Sequence, residues 1–245
     1  MNNQKTHITF VLDETGSMHS VKEQTISGFN EFLRSQEDKS LGETRVTLIK
    51  FNSEKIETVY SDALIEDVPN LTRDTYKPDS TTPLYDAVAR AIKDTDDKLS
   101  LSSKVLTRLA GHKVAVPPLV LLVVMTDGLE NASREYTRDD IFRMIEGKKK
   151  EGWAFAFLGS NQDSWDAAKP MGFAPGSIAN YDQGNVQGAF AGISHAMSSY
   201  RKAASQLRAT ADNKADYMKS ITALGKDFWQ GKKEVTYTNK EENAL

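Results

Sequence analysis

Oxygen-bearing side chains that could bind a hard metal ion occur at three separate places in the sequence. The segment DETGS puts a carboxylate and two hydroxyls at alternate positions, Asp13, Thr15 and Ser17. Thr82 adds a hydroxyl from a second segment, and Asp127 adds a second carboxylate from a third. Ions such as Mg²⁺ prefer oxygen ligands in octahedral geometry and usually keep several waters. Two charges and three hydroxyls would balance a divalent cation and leave one coordination position open for an oxygen from elsewhere.

Each of these segments adjoins a predicted strand or helix. Residues 8–12 are β-branched and aromatic, which is typical of a buried strand, and they run directly into DETGS. Residues 119–125 form a continuous apolar run that predicts a buried central strand, and it ends in the polar turn TDG. Thr82 fits the N-cap and Pro83 the first position of a helix that we expect to end near residue 101. All three segments are therefore expected at element boundaries.

The rest of the chain alternates between strand and helix patterns. The other predicted strands are 45–51, 56–60, 153–158 and 177–181, the first two forming a hairpin with an antiparallel edge strand. The other predicted helices of this part are about 20–36, 137–150, 165–171 and 186–200. Such alternation predicts an α/β, Rossmann-like three-layer fold: a mostly parallel six-stranded sheet with one antiparallel edge strand and helices on both faces. Ligands of such sheets bind beyond the carboxyl ends of the strands, where the three polar segments fall.

The length of 245 residues suits one large α/β domain with an appendage. We predict a domain over residues 1–208, with an insertion at about 102–118, and a charged C-terminal extension over 209–245. Apolar residues at helical spacing predict an amphipathic helix at about 214–230 within this extension. Packing of this helix on its own domain is favoured over docking on a partner.

Composition excludes several classes of function. The chain has no cysteine, so thiolate metal sites, thiol nucleophiles and disulfides are ruled out. Its net charge is −3, with no basic stripe interleaved with aromatics, which argues against nucleic acid as a partner. The longest apolar run, 119–125, is far short of the ~20 residues that span a bilayer, and the first residues lack a signal-peptide pattern. We therefore expect a cytoplasmic protein without a membrane partner.

Taken together and in this order, three segments resemble the loops of the metal-ion-dependent adhesion site of von Willebrand factor A domains: DETGS at 13–17, TTPLYDAV at 81–88 and VVMTDGLEN at 123–131. The pattern of that family is Asp-x-Ser/Thr-x-Ser, then a Thr ahead of a helix, then an Asp at the end of the central strand. The resemblance covers roughly residues 5–205. The segment FAFLGSNQDSWDAAKPMGF is also similar to small standalone bacterial and phage-like members.

Carried over position by position, the resemblance implies that the metal ligands are Asp13, Thr15, Ser17, Thr82 and Asp127. Thr82 stands immediately before PLYD, where members similar to this chain often read Gly-Gly-Thr. Here the two preceding residues are Ser80 and Thr81, a departure that leaves Thr81 as an alternative ligand. Glu14, Glu130 and Asn131 are predicted to lie at the rim and to tune the potential of the site.

The resemblance implies Mg²⁺ as the ion, and Mn²⁺ or Ca²⁺ are alternatives because carboxylates and hydroxyls serve all three. In the family an acidic side chain of a partner completes the coordination. The expected function is therefore metal-dependent recognition of a protein that presents Asp or Glu, which could be another copy of this chain. One alternative is a Mg²⁺-dependent hydrolase or phosphoryl-transfer enzyme, but no nucleophile or general base is convincingly placed and the four histidines share no ligand spacing. Another is a structural assembly component that uses the C-terminal extension.

Overall fold

The computed structural model describes residues 4–110, 118–160, 164–211, 213–229 and 236–237. The strands are β1 (Lys5–Asp13), β2 (Glu43–Phe51), β3 (Ile56–Leu64), β4 (Leu119–Thr126), β5 (Ala154–Ser160), β6 (Ile178–Tyr181) and β7 (Thr236–Tyr237). The helices are α1 (Lys22–Ser35), α2 (Leu84–Ala110), α3 (Arg138–Lys150), α4 (Ser164–Ala168), α5 (Val186–Thr210) and α6 (Lys214–Gly225).

The strands form one sheet in the order β3-β2-β1-β4-β5-β6-β7. Every neighbouring pair is parallel except β2 and β3, which are antiparallel. The predicted α/β class, the six strands and the antiparallel edge strand are thus confirmed. The two-residue strand β7, which pairs with β6 at the other edge, was not predicted because so short a strand leaves no periodic pattern.

One face of the sheet is covered by α1, α5 and α6. Phe10 of β1 packs against Phe29 of α1 and Phe190 of α5, with ring centroids 5.1 and 6.0 Å away. The two helices approach closely at Gly28, where an added Cβ would stand 2.3 Å from Cδ2 of Phe190. Gly28 is therefore required by packing, which allows aromatic rings to fill the space between the helices and the sheet.

The other face is covered by α2, α3 and α4. Alternate residues of the central strands point this way, so Val11 and Val124 belong to this second apolar cluster while Phe10 belongs to the first. Thr9 also points to this side, and its buried Oγ1 lies 2.6 Å from Oγ1 of Thr95 on α2. This hydrogen bond satisfies two polar atoms that burial would otherwise leave unpaired.

Helix α2 ends at Ala110, so the prediction that it ends near residue 101 was wrong. Leu106 and Leu109 continue the apolar spacing of Leu99, and no glycine or proline interrupts the chain before Gly111. The part of the predicted insertion that follows, 111–117, lies outside the described residues.

Helix α5 runs to Thr210, across the predicted boundary at residue 208, and α6 follows within the predicted helical range. Tyr217, Ile221 and Phe228 are buried in the same apolar cluster as the sheet. Residues 230–235 and 238–245 of the predicted extension lie outside the described residues. Within the described ranges, none of the helices combines the length and the apolar character that a membrane crossing requires.

Candidate functional site

The carboxylate of Asp13 lies at the carboxyl end of the sheet, where β1 and β4 run side by side. Leu12 pairs with Met125 in the parallel register, so the last residues of the two strands, Asp13 and Thr126, follow at the same level. Oδ2 of Asp13 accepts a hydrogen bond of 2.5 Å from the Thr126 hydroxyl, and Oδ1 accepts one of 2.7 Å from the Thr15 amide. The side chain is completely buried, at 0% exposure.

Burial also changes the acidity of this carboxylate. Loss of water raises the pKa of Asp13 to about 6, although the hydrogen bonds from Thr126 and Thr15 oppose the increase and the nearby charge of Asp127 adds to it. The pKa of Asp127 is raised as well, mainly by burial, against hydrogen bonds from Ser17 and Gln183. A cation bound between these two carboxylates would stabilise the ionised form of each.

Three loops carry the predicted ligands: the first at residues 13–17, the second at residues 76–82 and the third at residues 127–131. The first and third loops meet at Ser17. Ser17 lies in the 3-10 helix Gly16–Val21, which begins directly after Thr15. Its Oγ donates a hydrogen bond of 2.5 Å to Oδ1 of Asp127, and it lies 3.2 Å from Oγ1 of Thr15. Carboxylate and hydroxyl oxygens from residues far apart in sequence are thereby brought together.

Thr82 approaches the same place from the second loop. An added Cβ on Gly128 would stand 3.1 Å from Oγ1 of Thr82 and 3.9 Å from Oγ of Ser17, so the missing side chain leaves room between the two hydroxyls. The amide of Thr82 donates to Oδ1 of Asn131 at 2.8 Å, and the Asn131 amide donates to the carbonyl of Thr82 at 3.1 Å. Thr82 is thus held by the loop that carries the second carboxylate.

The neighbouring threonine is placed differently. Thr81 is exposed, and its amide donates to Oγ of Ser53 at 3.2 Å. The residue before it, Ser80, has a φ of 67°, in the left-handed region that favours glycine. Its carbonyl accepts a hydrogen bond of 3.0 Å from the Gly16 amide, which joins the first and second loops. All five predicted ligands therefore lie at one edge of the sheet.

Three contributing residues were missed in the sequence. Thr126 stands beside Asp127 in TDG and could have been noticed there, because it is the end residue of a strand next to β1. Tyr76 donates from its hydroxyl to the Asp13 carbonyl at 2.6 Å, and Gln183 donates from Nε2 to Oδ2 of Asp127 at 3.2 Å. Neither of these two has a local sequence signal.

The expectation that Glu14 lies at the rim was wrong. This residue is 2% exposed and its carboxylate faces the Lys50 ammonium at 2.9 and 3.1 Å. Glu130 is half-buried, and its carboxylate accepts hydrogen bonds from the amides of Tyr85, Ala132 and Ser133 at 2.7 to 2.9 Å. It therefore joins the third loop to the first turn of α2. Position along the chain suggested proximity but could not indicate the direction of these side chains.

A second polar cluster lies at the amino end of the strands. Nε2 of His7 is 3.2 Å from Oγ1 of Thr47 and its Nδ1 is 3.2 Å from Oδ1 of Asp62, the order of contacts found in a hydrolytic triad. However, Thr47 is 1% exposed and its oxygen accepts a hydrogen bond from the Asp62 amide at 3.0 Å. The cluster therefore stabilises the irregular pairing of β2 with β3 and presents no accessible nucleophile.

In the part of the chain that the structure describes, no group of three or more His, Asp or Glu side chains is arranged to hold a metal ion. A cation at the candidate site would consequently need the hydroxyls of Thr15, Ser17 and Thr82 beside the two aspartates. Hard cations accept neutral oxygen ligands and water in this way.

No protein-family model and no curated protein matches the sequence. Among solved structures, the chain is similar to proximal thread matrix protein 1 from the mussel byssus, at 11% identity and a TM-score of 0.49 over 78% of this chain and 46% of that one. It is also similar to a mutant of the PilB minor pilin from Streptococcus sanguinis, at 13% identity and a TM-score of 0.46 over 80% of this chain and 62% of that one.

A third similar structure contains three N-terminal domains of the type V pili tip protein Mfa5 from Porphyromonas gingivalis, at 9% identity and a TM-score of 0.43, over 69% of this chain and 44% of that one. This chain thus spans between 44% and 62% of the length of these three structures. All three TM-scores are below 0.5, so these similarities do not identify the family or the function of this chain. Its fold class follows from its own sheet topology.

Proposed function

We propose that the chain is a metal-dependent protein-recognition module of the von Willebrand factor A type. A divalent cation, Mg²⁺ with Mn²⁺ or Ca²⁺ as alternatives, is held by Asp13, Thr15, Ser17, Thr82 and Asp127, and an acidic side chain of a partner completes its coordination. The observation that carries the proposal is the 2.5 Å hydrogen bond from Ser17 to Asp127, because it joins the first loop to the third, where the charge of Asp127 raises the pKa of Asp13.

The acidity of Asp13 supports a cation at this place. Burial raises the pKa of this carboxyl to about 6, and at neutral pH its ionised form is stabilised by only a few hydrogen bonds. A bound divalent ion would supply the missing positive charge. Ionisable residues with strongly shifted pKa values are characteristic of functional sites and also occur in ion-pair networks.

The arrangement favours binding over catalysis. In a Ser-His-Asp arrangement the serine hydroxyl is hydrogen-bonded to an imidazole that takes its proton. Ser17 instead donates to a carboxylate and lies against another hydroxyl, as members of one ligand set would. We therefore propose no enzymatic activity for the site, and Mg²⁺- or Mn²⁺-dependent turnover of phosphoesters that is lost in Asp13→Ala would contradict this.

The proposed partner is a protein that presents Asp or Glu, and a second copy of this chain is one form of it. A carboxylate is the appropriate chemistry because hard cations bind carboxylate oxygens and one coordination position stays open beside the five proposed ligands. Nucleic acid and membrane are not proposed as partners, and a cytoplasmic location remains the expectation.

The proposal can be tested by selecting peptides from a random displayed library on the purified protein in Mg²⁺, with release by EDTA. Peptides containing Asp or Glu should be enriched, and their binding should be lost with Asp13→Ala/Asp127→Ala while cooperative unfolding is retained. Asp139→Ala, at a carboxylate that is 71% exposed on α3, is the control and should bind normally. Selected peptides without acidic residues, or binding that survives EDTA, would contradict the proposal.

A further inference from the structure

A buried ion pair lies next to the candidate site, between the DETGS loop and the end of β2. Glu14, between two proposed ligands in sequence, and Lys50, near the end of β2, have side chains that are 3% and 4% exposed. The Lys50 ammonium lies 2.9 Å from Oε1 and 3.1 Å from Oε2 of Glu14. Buried pairs lose much of their electrostatic gain to desolvation, so their presence calls for satisfied hydrogen bonds and often for a role other than stability.

Both members of the pair also bind the backbone of the loop that leads to Thr82. Oε1 of Glu14 accepts a hydrogen bond of 2.6 Å from the Lys77 amide, and the Lys50 ammonium donates to the carbonyl of Thr75. Tyr76 therefore stands between two fixed points, with its hydroxyl donating to the carbonyl of Asp13. The ion pair is therefore hydrogen-bonded to the backbone of the loop on both sides of Tyr76, at Thr75 and at Lys77.

The same connection continues along the backbone. The Asp79 amide donates to the Glu14 carbonyl at 3.0 Å, and the Gly16 amide donates to the Ser80 carbonyl at 3.0 Å. The DETGS loop and the second loop are thereby aligned over residues 76–80, and Thr82 follows only two residues later. These contacts between the two loops involve no proposed ligand side chain.

We propose that Glu14 and Lys50 are positioning residues, whose ion pair sets the Thr82 loop against the DETGS loop and thereby determines the affinity of the site for its cation. This inference rests on the proposed function, since it concerns the same cation site. Residues that orient metal ligands from outside the coordination sphere typically change affinity by about 10–100-fold.

The test is a calorimetric titration with Mn²⁺ of the full chain and of Glu14→Gln/Lys50→Met, which removes both charges together and leaves no unpaired buried ion. The double variant should bind Mn²⁺ about tenfold more weakly, at the lower end of that range. Asp96→Asn/Lys148→Met is the control, because this ion pair of 2.6 Å, with side chains 40% and 15% exposed, joins α2 to α3 away from the three loops. It should lose some stability and keep the wild-type affinity.

Glu14→Gln alone is measured beside the double variant, because it keeps the Lys50 ammonium, which still has Glu57 at 3.5 Å, and so isolates the loss of the Glu14 charge. It should weaken Mn²⁺ binding by roughly threefold, below the range of about 10–100-fold, because the Lys50 ammonium still donates to the carbonyl of Thr75. Wild-type affinity in both variants, with binding intact in the unaltered chain, would overturn the positioning role and leave the cation site standing. Absence of Mn²⁺ binding by the unaltered chain would overturn the site and this inference together.

Discussion

Ser17 donates a hydrogen bond of 2.5 Å to Asp127 across 110 residues of sequence. Together with the bonds from Thr126 to Asp13 and from Thr82 to Asn131, it joins the three loops through protein contacts alone. A site whose side chains are already held in place loses less conformational entropy on binding. We therefore expect cation binding to require exchange of hydroxyl hydrogen bonds for metal contacts and little movement of the backbone.

Asp13→Asn should stabilise the protein in the absence of divalent cations. At pH 7.5 the wild-type carboxylate is ionised although its burial raises the pKa to about 6, so an uncharged amide should raise the free energy of unfolding by about 1 to 3 kcal/mol. The Thr126 hydroxyl can also donate to the Gly128 carbonyl, at 3.1 Å, and is then free to accept from the new amide. Urea unfolding in EDTA measures this difference.

The size of the effect depends on pH. The folded-state pKa of Asp13 lies above the ordinary 3.8, so folding favours the protonated carboxyl. The stability that this proton contributes is fully present below pH 3.8 and is lost as the pH rises through about 6. The advantage of Asp13→Asn should consequently vanish near pH 4. If Asp13→Asn were less stable than the wild type at pH 7.5 in EDTA, the ionised carboxylate of Asp13 would not lower the free energy of unfolding.

Cation affinity should fall in mild acid for the same reason. A cation must displace the proton of Asp13, so the dissociation constant for Mn²⁺ should be nearly constant above pH 7 and rise about tenfold per pH unit below about 6. The raised pKa of Asp127 should make the decline steeper. Calorimetric titrations between pH 7.5 and 5 would reveal it, and an unchanged constant over that interval would count against Asp13 as a ligand.

Thr82→Val and Thr81→Val separate the two candidate hydroxyls. Thr82 is 4% exposed and its Oγ1 lies beside Gly128, whereas Thr81 faces solvent. Loss of the Thr82 hydroxyl should weaken Mn²⁺ binding about tenfold, the equivalent of roughly 1.4 kcal/mol, while Thr81→Val should leave the affinity nearly unchanged. The reverse order would assign Thr81 as the ligand.

Gly28→Ala and Gly147→Ala test the packing of the helical layers. A Cβ at Gly28 would stand 2.3 Å from Cδ2 of Phe190, so we expect overpacking to lower the free energy of unfolding by about 1 to 3 kcal/mol. An added Cβ at Gly147 of α3 meets nothing within 4 Å, and better helix propensity should raise stability by up to about 1 kcal/mol. Equal effects in thermal unfolding would mean that α1 and α5 do not pack as closely as described.

The parts of the fold and the site that the sequence predicted are those governed by local pattern. The continuous apolar run of β4 and the alternation of strands with helices predicted a parallel sheet, and such a sheet gathers the carboxyl ends of its strands at one edge. Asp13 is the last residue of β1, and Asp127 directly follows the last residue of β4. Their proximity could therefore be predicted from two short segments without knowledge of the side chains around them.

The supporting contacts could not be predicted because they depend on tertiary structure. Lys50 reads as an ordinary residue of a strand, yet the pairing of β2 with β1 places it against Glu14. Gln183 follows β6, and only the order of strands in the sheet brings its amide to Asp127. Side-chain direction at loop positions has no periodic signal, which is also why Glu14 was expected at the rim.

The most direct test of the cation site is the anomalous diffraction of crystals grown with Mn²⁺. We predict one peak between Asp13 and Asp127, about 2.0 to 2.6 Å from the oxygens that bind the ion directly, with Ser17 and Thr15 among the residues around it. The same crystals of Asp13→Asn should lack this peak. A wild-type crystal without a peak at this edge of the sheet, or with Mn²⁺ bound only elsewhere, would contradict the central claim.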